Sequence, residues 1–488
     1  MRPFAARPVA AIIAVFALIL VISAARYGYH RDELYFLACG RRLAWGYPDQ
    51  PPLTPLLARL GDAIAPGSLI AFRLPAVLAM LWVVVASALS ACELGGAPPA
   101  QAIAAVATGS GAIIVLGGHL LSTTTFDVAV WVTLSWLVLR LLRTGQDRLW
   151  IACGGVLALG LLNKQLPILL AAALAVGFIA VPECRRALRS RWFWAGGAVA
   201  LAAWAPVLVW QGEHGWPQLE LARQIRDEYG RPGERAAFVA LQLVLFSLGA
   251  TVLWAVGLIR LWRDPAWRRF RPIAWVWPVL MVLLAATAGQ GYYPAGIYPP
   301  LIAAGAVAAE RWSRRRRRLL VAGVLASSAL VLPAFLPLLP PTTLDRSPWA
   351  GLAEQQLEMV GWTRLADQVA AAYRAIPAGR RRGVTVLAGN YGEAGALERF
   401  GPARGLPPVW SGHNGFGLWG PPPDGAAGPV VLVWEGPPPA DAVRGCVRPA
   451  KVRTGVGNEE QDRASIYLCD GPAGSWSAVW PRLVFLSA

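Results

Sequence analysis

Two adjacent carboxylates near the N-terminus are well suited to acid–base chemistry. Asp32 and Glu33 follow His30 and Arg31 in a polar stretch that begins a few residues after an apolar run. Partial burial beside lipid, next to a cation, can tune a carboxylate to withdraw a proton from a hydroxyl and so make it nucleophilic. A structural interpretation also fits, because the helix dipole stabilises acidic residues in a first turn. The local sequence leaves both interpretations open.

The same polar stretch, residues 26–73, holds two further candidates for substrate binding. Asp49 lies among prolines that enforce an extended turn, and Arg73 closes the stretch. Between Glu33 and Leu43 the apolar residues recur at helical spacing. This spacing predicts an amphipathic helix lying along the membrane surface, with the acidic pair in its first turn.

Other candidates lie near the ends of apolar runs. Asp127 follows LSTTTF at the start of one run, where a charge is costly unless it faces a cavity, although the position also fits a helix cap. Lys164 stands between two apolar runs. Tyr292 and Tyr293 belong to the string GQGYYPAGIYPP, which is also typical of an aromatic belt at the membrane interface.

The elements that position these residues are predicted to be membrane-spanning helices. Of 488 residues, 56% are hydrophobic and the mean hydropathy is +0.46, more than a soluble core requires. Apolar runs long enough to cross a hydrocarbon layer recur from Val9 to Leu339. They predict about eleven spans, near residues 8–25, 74–92, 100–117, 126–142, 149–162, 166–181, 193–210, 237–261, 273–289, 292–309 and 319–339.

The distribution of arginine predicts the orientation of a multi-pass cell-membrane protein. A cytoplasmic N-terminus places the arginine-rich loops in the cytoplasm and leaves 26–73, 211–236 and the segment after 340 outside. These loops account for the net charge of +17 without nucleic acid. If 149–181 were one kinked span, the arginine run at 314–318 would face outward, which argues against that alternative. The first run also has the pattern of a cleaved signal peptide, and either way the next segment lies outside.

The C-terminal third is predicted to be a separate extracytoplasmic domain. Residues 1–340 would form the membrane domain and 341–488 a small α/β domain, with a helix over 352–375 and strands near 384–392, 429–435 and 465–469. Cys446 and Cys469 are the two cysteines of this domain. An oxidising compartment favours a disulfide between them.

Several strings, taken in order, resemble the glycosyltransferase family 39 group of the GT-C superfamily, related to protein O-mannosyltransferases and to the enzyme that transfers aminoarabinose to lipid A. The strings are RDELYFLACGRRLAWGYPDQPPL in the 26–73 stretch, Ser122–Asp127, GQGYYPAGIYPP and NYGEAGALERFGPARGLPPVWSGHN. Their common order along most of the chain is more specific than any one of them.

This resemblance implies a GT-C type fold and an inverting transfer of sugar from a polyprenyl-phosphate carrier on the outer face. By position Asp32 would be the general base, Glu33 would support geometry or charge, and the segment of Tyr292 and Tyr293 would bind the carrier or its phosphate. This chain departs from the family pattern at Gln50, often histidine, and at Gln290, often lysine. The cation that neutralises the phosphate is therefore left open among Arg31, Arg73 and Lys164.

The resemblance also defines the expected partners and the alternatives. The donor would be a polyprenyl-phosphate-linked sugar, the acceptor a glycan, lipid or protein, and no nucleic acid is expected. No obligatory metal is expected, because the adjacent Glu213 and His214 lack further ligand spacing and the resemblance is nearer to GT-C enzymes that need no divalent cation. A transporter or flippase of lipid-linked sugars is the alternative, and it predicts charges near the midplane and repeat symmetry. A non-catalytic scaffold would leave the acidic pair without a role.

Overall fold

The chain up to Asp345 is almost entirely helical. The computed structural model describes residues 2–229 and 231–487. Its helices up to that point are α1 (Ala6–Ala24), α2 (Arg31–Arg41), α3 (Leu53–Ile64), α4 (Leu69–Glu93), α5 (Pro98–Gly109), α6 (Ala112–His119), α7 (Thr123–Thr144), α8 (Leu149–Leu161), α9 (Pro167–Ala180), α10 (Arg185–Leu188), α11 (Arg191–Glu213), α12 (Pro217–Tyr229), α13 (Pro232–Val244), α14 (Leu248–Arg263), α15 (Arg271–Thr287), α16 (Tyr298–Ala309), α17 (Arg314–Phe335) and α18 (Pro341–Asp345).

The long apolar helices make this a multi-pass membrane protein. Within the described residues, six helices are individually long and apolar enough to cross a membrane, and up to nine spans result if each bent helix pair counts as one. On α1 the large apolar side chains of Leu18 and Ile22 are 62% and 58% exposed, as lipid-facing residues are. The count of eleven spans and the orientation of the termini stay predictions.

Two predicted spans are broken rather than continuous. Helices α5 and α6 meet at an angle of 62°, and the end of α13 meets α14 at 95°. Ser247 starts α14 afresh, because its side chain accepts a hydrogen bond from the backbone N–H of Ala250. The predicted outer loop 211–236 is also largely helical, since α12 lies within it. Hydropathy averaged over a window does not detect such breaks.

The C-terminal region forms a small mixed sheet with helices. Its helices are α19 (Glu354–Leu357), α20 (Trp362–Ala375), α21 (Tyr391–Phe400), α22 (Asn414–Leu418), α23 (Glu459–Asp462) and α24 (Trp476–Leu483). Its strands are β1 (Thr385–Ala388), β2 (Val409–Ser411), β3 (Val430–Glu435), β4 (Val443–Arg444), β5 (Val447–Lys451), β6 (Ala464–Cys469) and β7 (Gly471–Pro472).

The main sheet has the order β2-β1-β3-β6-β5. Strand β1 is parallel to β2 and β3, whereas β6 is antiparallel to β3 and β5. The helix predicted over 352–375 is divided into α19 and α20, because Gly361 adopts a left-handed φ of 103° that interrupts helical hydrogen bonding. A disulfide joins Cys446 and Cys469.

Helix α2 is buried between the membrane helices and the sheet domain. Every residue from Glu33 to Gly40 is buried. Gly395 of α21 faces the backbone of Leu34, where an added Cβ would come within 2.9 Å of a backbone carbon. The sequence predicted an amphipathic helix lying along the membrane surface. The helix is present, but α21 covers the face that would otherwise meet solvent. Its position relative to the membrane stays a prediction.

Candidate functional site

The first turn of α2 is fixed by a reciprocal cap. The Nδ1 atom of His30 accepts a hydrogen bond from the backbone N–H of Asp32 at 3.2 Å. In return, Oε2 of Glu33 accepts one from the backbone N–H of His30 at 2.9 Å. This capping box satisfies two otherwise unpaired N–H groups. It therefore holds the acidic pair in one backbone geometry, with the two carboxylates pointing to different surroundings.

Glu33 points into the protein and forms a fully buried pair with Arg73. The Nε and Nη2 atoms of Arg73 lie 2.9 and 2.7 Å from Oε1 and Oε2 of Glu33, respectively, and both side chains are 0% exposed. The backbone N–H of Leu121 also donates to Glu33, at 2.9 Å. Arg73 in turn donates to the carbonyl oxygens of Ala24 and Gly28. The pair thus joins the ends of three spans, and the guanidinium faces protein groups rather than open space. Carrier binding by Arg73, predicted from sequence, receives no support from this placement.

Asp32 points outward and is the accessible member of the acidic pair. Its side chain is 35% exposed. The hydroxyl of Tyr391 donates to its Oδ1 at 2.9 Å, and Nε of Arg31 lies 3.7 Å from the same oxygen. Burial opposes ionisation, but the charges of Arg31 and Lys164, that of His30 when it is protonated, and the hydrogen bond from Tyr391 hold the pKa of Asp32 below its usual value. Asp32 is therefore ionised near neutral pH.

Asp49 is a second carboxylate of the same site, and its pKa is raised where that of Asp32 is lowered. Burial, reinforced by the negative charge of Asp32, raises the pKa of Asp49 to about 7, although hydrogen bonds lower it in part. Those bonds come from the hydroxyl of Tyr35 at 3.1 Å and from Nδ2 of Asn414 at 3.4 Å. Two carboxylates whose surroundings drive their pKa values apart are typical of acid–base sites.

The two carboxylates are joined by a pair of tyrosines from different domains. The rings of Tyr35, in α2, and Tyr391, in α21, lie 4.8 Å apart between centroids. The hydroxyl of Tyr35 donates a hydrogen bond to Asp49, and the hydroxyl of Tyr391 donates one to Asp32. The backbone N–H of Gly415 donates to the Tyr35 hydroxyl at 2.9 Å. The sheet domain therefore supplies part of the site. The string NYGEAG was the one sequence signal that pointed to Tyr391.

Tyr391 is itself held firmly at the start of α21. Asn390 and Glu393 form a second capping box, in which the side chain of Asn390 accepts from the backbone N–H of Glu393 at 2.8 Å. Nδ1 of His413 accepts from the backbone N–H of Tyr391 at 3.2 Å. Burial lowers the pKa of His413 to about 3, so this histidine is neutral and structural.

Lys164 lies with the two tyrosines that the sequence placed at a carrier site. Its Nζ atom is 4.8 Å from the centre of the Tyr293 ring and 5.6 Å from that of Tyr292. The lysine follows Asn163, whose side chain accepts from Thr54 and donates to the carbonyl of Thr123, both at 2.7 Å. This anchored turn between α8 and α9 brings Lys164 close enough to act electrostatically on Asp32.

Asp127 is buried near Lys164, and its carboxylate is hydrogen-bonded within the protein rather than exposed to the cavity. It is 3% exposed, and its Oδ1 accepts a hydrogen bond from Nε1 of Trp131 at 3.1 Å. The N-terminal cap of α7 is supplied by Ser122, which accepts from the backbone N–H of Thr125. The cap interpretation of Asp127 is therefore wrong, whereas its predicted role in binding stays a prediction.

A large cavity adjoins these groups. It has a volume of about 770 Å³ and is bounded by α9, α11, α12 and α15. Asp49, Lys164 and Tyr293 line it, and most of the remaining wall is apolar. Arg223 and Arg226 of α12 line it as well, in the segment 211–236 that the sequence placed outside the membrane without naming a role for its arginines. Within residues 2–229 and 231–487, no three His, Cys, Asp or Glu side chains are grouped so as to hold a metal ion.

Comparison with known proteins identifies the fold. Residues 49–210 match a family model described as dolichyl-phosphate-mannose-protein mannosyltransferase. No curated protein is significantly similar to the chain. The structure of ArnT from Cupriavidus metallidurans bound to undecaprenyl phosphate is similar, with 16% identity, a TM-score of 0.59 and coverage of 94% of this chain and 97% of that chain. The apo state of the same protein gives the same TM-score and coverage at 14% identity.

A weaker likeness exists to the Archaeoglobus fulgidus oligosaccharyltransferase in complex with Zn and sulfate. It has 14% identity and a TM-score of 0.47, and covers 80% of this chain and 61% of that chain. The match to the family model and the likeness to ArnT confirm the resemblance found in the sequence. The fold is of the GT-C type, with a helical membrane region followed by a small sheet domain.

Proposed function

We propose that this protein is a membrane glycosyltransferase that moves a sugar from a polyprenyl-phosphate carrier to an acceptor outside the cytoplasm, with inversion and with Asp32 as general base. One observation carries the proposal: Asp32 is ionised, a third exposed and held between cations and a tyrosine hydroxyl. The ArnT fold, which has been seen with undecaprenyl phosphate bound, supports the choice of carrier. The matched family model supports the choice of reaction.

The donor would occupy the 770 Å³ cavity. Its apolar wall suits the polyprenyl chain, and Lys164 with Tyr292 and Tyr293 suits the phosphate, because an ammonium group and phenolic hydroxyls can contact its oxygens. Arg226 would add positive charge at the same cavity, whereas Arg223, which also lines it, pairs with Glu220 at 3.0 Å. Arg73 is left out of this assignment, since Glu33 already engages it.

In the transfer step, Asp32 takes the proton of an acceptor hydroxyl. At the same time the oxygen of that hydroxyl attacks the anomeric carbon of the sugar from the face opposite the phosphate. The bond between that carbon and the phosphate oxygen breaks, and its electron pair leaves with polyprenyl phosphate. A single displacement of this kind inverts the configuration. We assign the base to Asp32 rather than Asp49 because Asp32 is fully ionised near neutrality and a third exposed, whereas Asp49, whose pKa is about 7, is partly protonated and held by Tyr35 and Asn414.

The proposal is tested by sugar transfer with purified protein. Radiolabelled polyprenyl-phosphate sugars are supplied with a membrane extract as acceptor, and wild type is compared with Asp32→Asn. We expect transfer by wild type and a loss of about 100-fold or more in the variant, the usual scale for a general base. Asp62→Asn is the matched control, because Asp62 belongs to the same outer stretch but pairs with Arg399 at 3.4 Å.

Two results would contradict the proposal in different ways. Full transfer by a folded Asp32→Asn variant would exclude Asp32 as the base. If wild type transfers no sugar but moves labelled lipid-linked sugar across a vesicle membrane, the transporter alternative would replace the enzyme.

A further inference from the structure

His30 lies between two carboxylates that approach it from different domains. Its Nε2 atom is 2.7 Å from Oε2 of Glu358, which precedes α20 in the sheet domain. Its Nδ1 atom faces the start of α2, 3.2 Å from the backbone nitrogen of Asp32 and 3.9 Å from the carboxylate oxygen Oδ2 of the same residue. The side chains of His30 and Glu358 are both only 3% exposed.

The contacts define which ring nitrogen carries the proton. Nδ1 accepts a hydrogen bond from a backbone N–H, so it carries no hydrogen in this geometry. The proton of the neutral ring then lies on Nε2, which faces Glu358. A carboxylate at one ring nitrogen is a well-known means of fixing the tautomer presented by the other. Glu358 therefore determines the chemical character of the atom that faces Asp32.

We propose that His30 and Glu358 act as a pair of positioning residues for Asp32, with Glu358 keeping the proton on Nε2 so that Nδ1 caps α2 and leaves the Asp32 carboxylate to the acceptor. The inference rests on the proposed transfer reaction and adds two residues to it, one of them from the sheet domain. Neither residue touches the reacting atoms.

A second proton on His30 would reverse this arrangement. Nδ1 would become a donor, lose the hydrogen bond that caps α2, and pair with Oδ2 of Asp32, now 3.9 Å away. An Asp32 carboxylate held by imidazolium is a weaker base and competes less well for the acceptor proton. Transfer would therefore decrease as the pH falls through the pKa of His30.

The pKa of His30 depends on burial and on the charged groups around its ring. The charged and titratable groups around His30 are Arg31, Asp32 and Glu33 of α2, Arg73 of α4, His119 of α6 and Glu358. Burial alone would lower the pKa of His30, but Glu358 and Asp32 outweigh both burial and Arg31 and raise it above its usual value. The acid limb of the pH–rate profile is thus expected above the range in which Asp32 itself takes up a proton.

The pH dependence of kcat/KM tests the pair in full-length protein. Glu358→Gln removes the charge that raises the His30 pKa, so the acid limb should move to lower pH by about one unit or more. His30→Asn keeps a good N-cap but cannot titrate, so activity should persist to still lower pH. Glu398→Gln is the matched control: Glu398 also joins the sheet domain to α2, but at its other end, through Arg41 and Arg42.

The outcomes separate this inference from the proposed function. An acid limb that shifts in Glu358→Gln and His30→Asn, but not in Glu398→Gln, supports the positioning pair. Wild-type transfer with an acid limb unmoved in His30→Asn overturns the pair and leaves the proposed function standing. No transfer by wild type overturns both. If Glu358→Gln does not fold, His30→Asn decides alone, because asparagine preserves the cap.

Discussion

Adjacent residues of the same type acquire different roles in this site. Asp32 and Glu33 follow one another in the sequence, but Glu33 is sealed against Arg73 while Asp32 is a third exposed. Removing one partner of a fully buried ion pair leaves an uncompensated charge, which typically costs about 3 to 5 kcal/mol. Glu33 therefore supports the structure on which Asp32 depends, and loss of activity on its substitution would not by itself indicate chemistry.

The raised pKa of Asp49 predicts how the stability of the protein depends on pH, which can be measured without a substrate. Its pKa of about 7 in the folded protein exceeds the ordinary 3.8. The folded state therefore keeps a proton that the unfolded chain releases. Stability contributed by Asp49 is fully present below about pH 4 and is lost as the pH rises through about 7, by up to about 4 kcal/mol. Asp49→Asn should abolish this component and be more stable than wild type above pH 7.

Thermal unfolding in detergent over a pH series measures the effect. The difference in melting temperature between Asp49→Asn and wild type should widen between pH 4 and pH 8. A difference that is independent of pH would show that Asp49 titrates normally. Asp62→Asn serves again as the control for loss of a carboxylate from the same 26–73 stretch.

At the scale of elements, the site depends on breaks between helices as much as on the helices. Lys164 lies in the turn between α8 and α9, and Tyr293 lies in the short connection before α16. Asp49 lies in the proline-rich segment between α2 and α3. A broken helix frees backbone and side chains to line a cavity inside a membrane protein, where a continuous span would present only one stripe.

Helix α16 lies at the centre of the bundle because glycines let it approach α14. A Cβ added at Gly305 would overlap the backbone carbonyl of Leu253, and one added at Gly257 would overlap that of Leu301. Small residues at such crossings allow the close backbone contact that holds membrane helices together. The packing of α16 in turn fixes the tyrosine-bearing connection at its start.

Gly305→Val should therefore be severely destabilising, by about 3 kcal/mol or more, because backbone cannot yield to the added methyl groups. The measurement is the melting temperature of the purified protein, together with the yield of monodisperse protein. Gly323→Val on α17 is the matched control, since an added Cβ there meets no heavy atom within 4 Å. Equal stability of the two variants would refute the assigned packing of α14 against α16.

At the scale of the whole molecule, the sheet domain completes the site rather than standing apart from it. It supplies Tyr391 to Asp32, Asn414 to Asp49 and Glu358 to His30. These contacts join residues more than 320 positions apart in the sequence. The division at residue 340 stays a prediction about folding units, but the candidate chemistry lies across it.

The disulfide between Cys446 and Cys469 should consequently affect activity from a distance. It closes a sequence separation of 23 residues, so its removal should cost roughly 3 kcal/mol through the entropy of the unfolded chain. A Cys446→Ser, Cys469→Ser double variant should melt earlier and lose transfer activity at temperatures where wild type is active. Cys184→Ala, which removes a free cysteine, is the control. An unchanged melting temperature would show that the disulfide does not limit the stability of the sheet domain.

Features that depend on local pattern could be predicted from the amino-acid sequence alone. Apolar runs are visible because lipid requires about 20 consecutive apolar residues for each span, and strands β1, β3 and β6 are visible because each is a short apolar run between turns. Sequence alone also singled out the acidic pair, Lys164 and the tyrosine string. Charged residues beside lipid are costly and aromatic residues collect at the membrane interface, so both types mark candidate sites. The resemblance to a GT-C family followed from strings kept in order.

Which of the candidate residues lie next to one another depends on the packing of distant segments. The sequence left the phosphate-neutralising cation open among Arg31, Arg73 and Lys164. In the structure Arg73 is sealed against Glu33, whereas Lys164 lies beside the cavity. Tyr35 looks ordinary in the sequence and Tyr391 is marked there only by the string NYGEAG. Each gains its role from the folded structure, in which their rings pack together and their hydroxyls contact Asp49 and Asp32. The physical reason is that burial and pKa depend on all the atoms packed around a group. Most of those atoms come from segments far away in the chain, and only the folded structure brings them together.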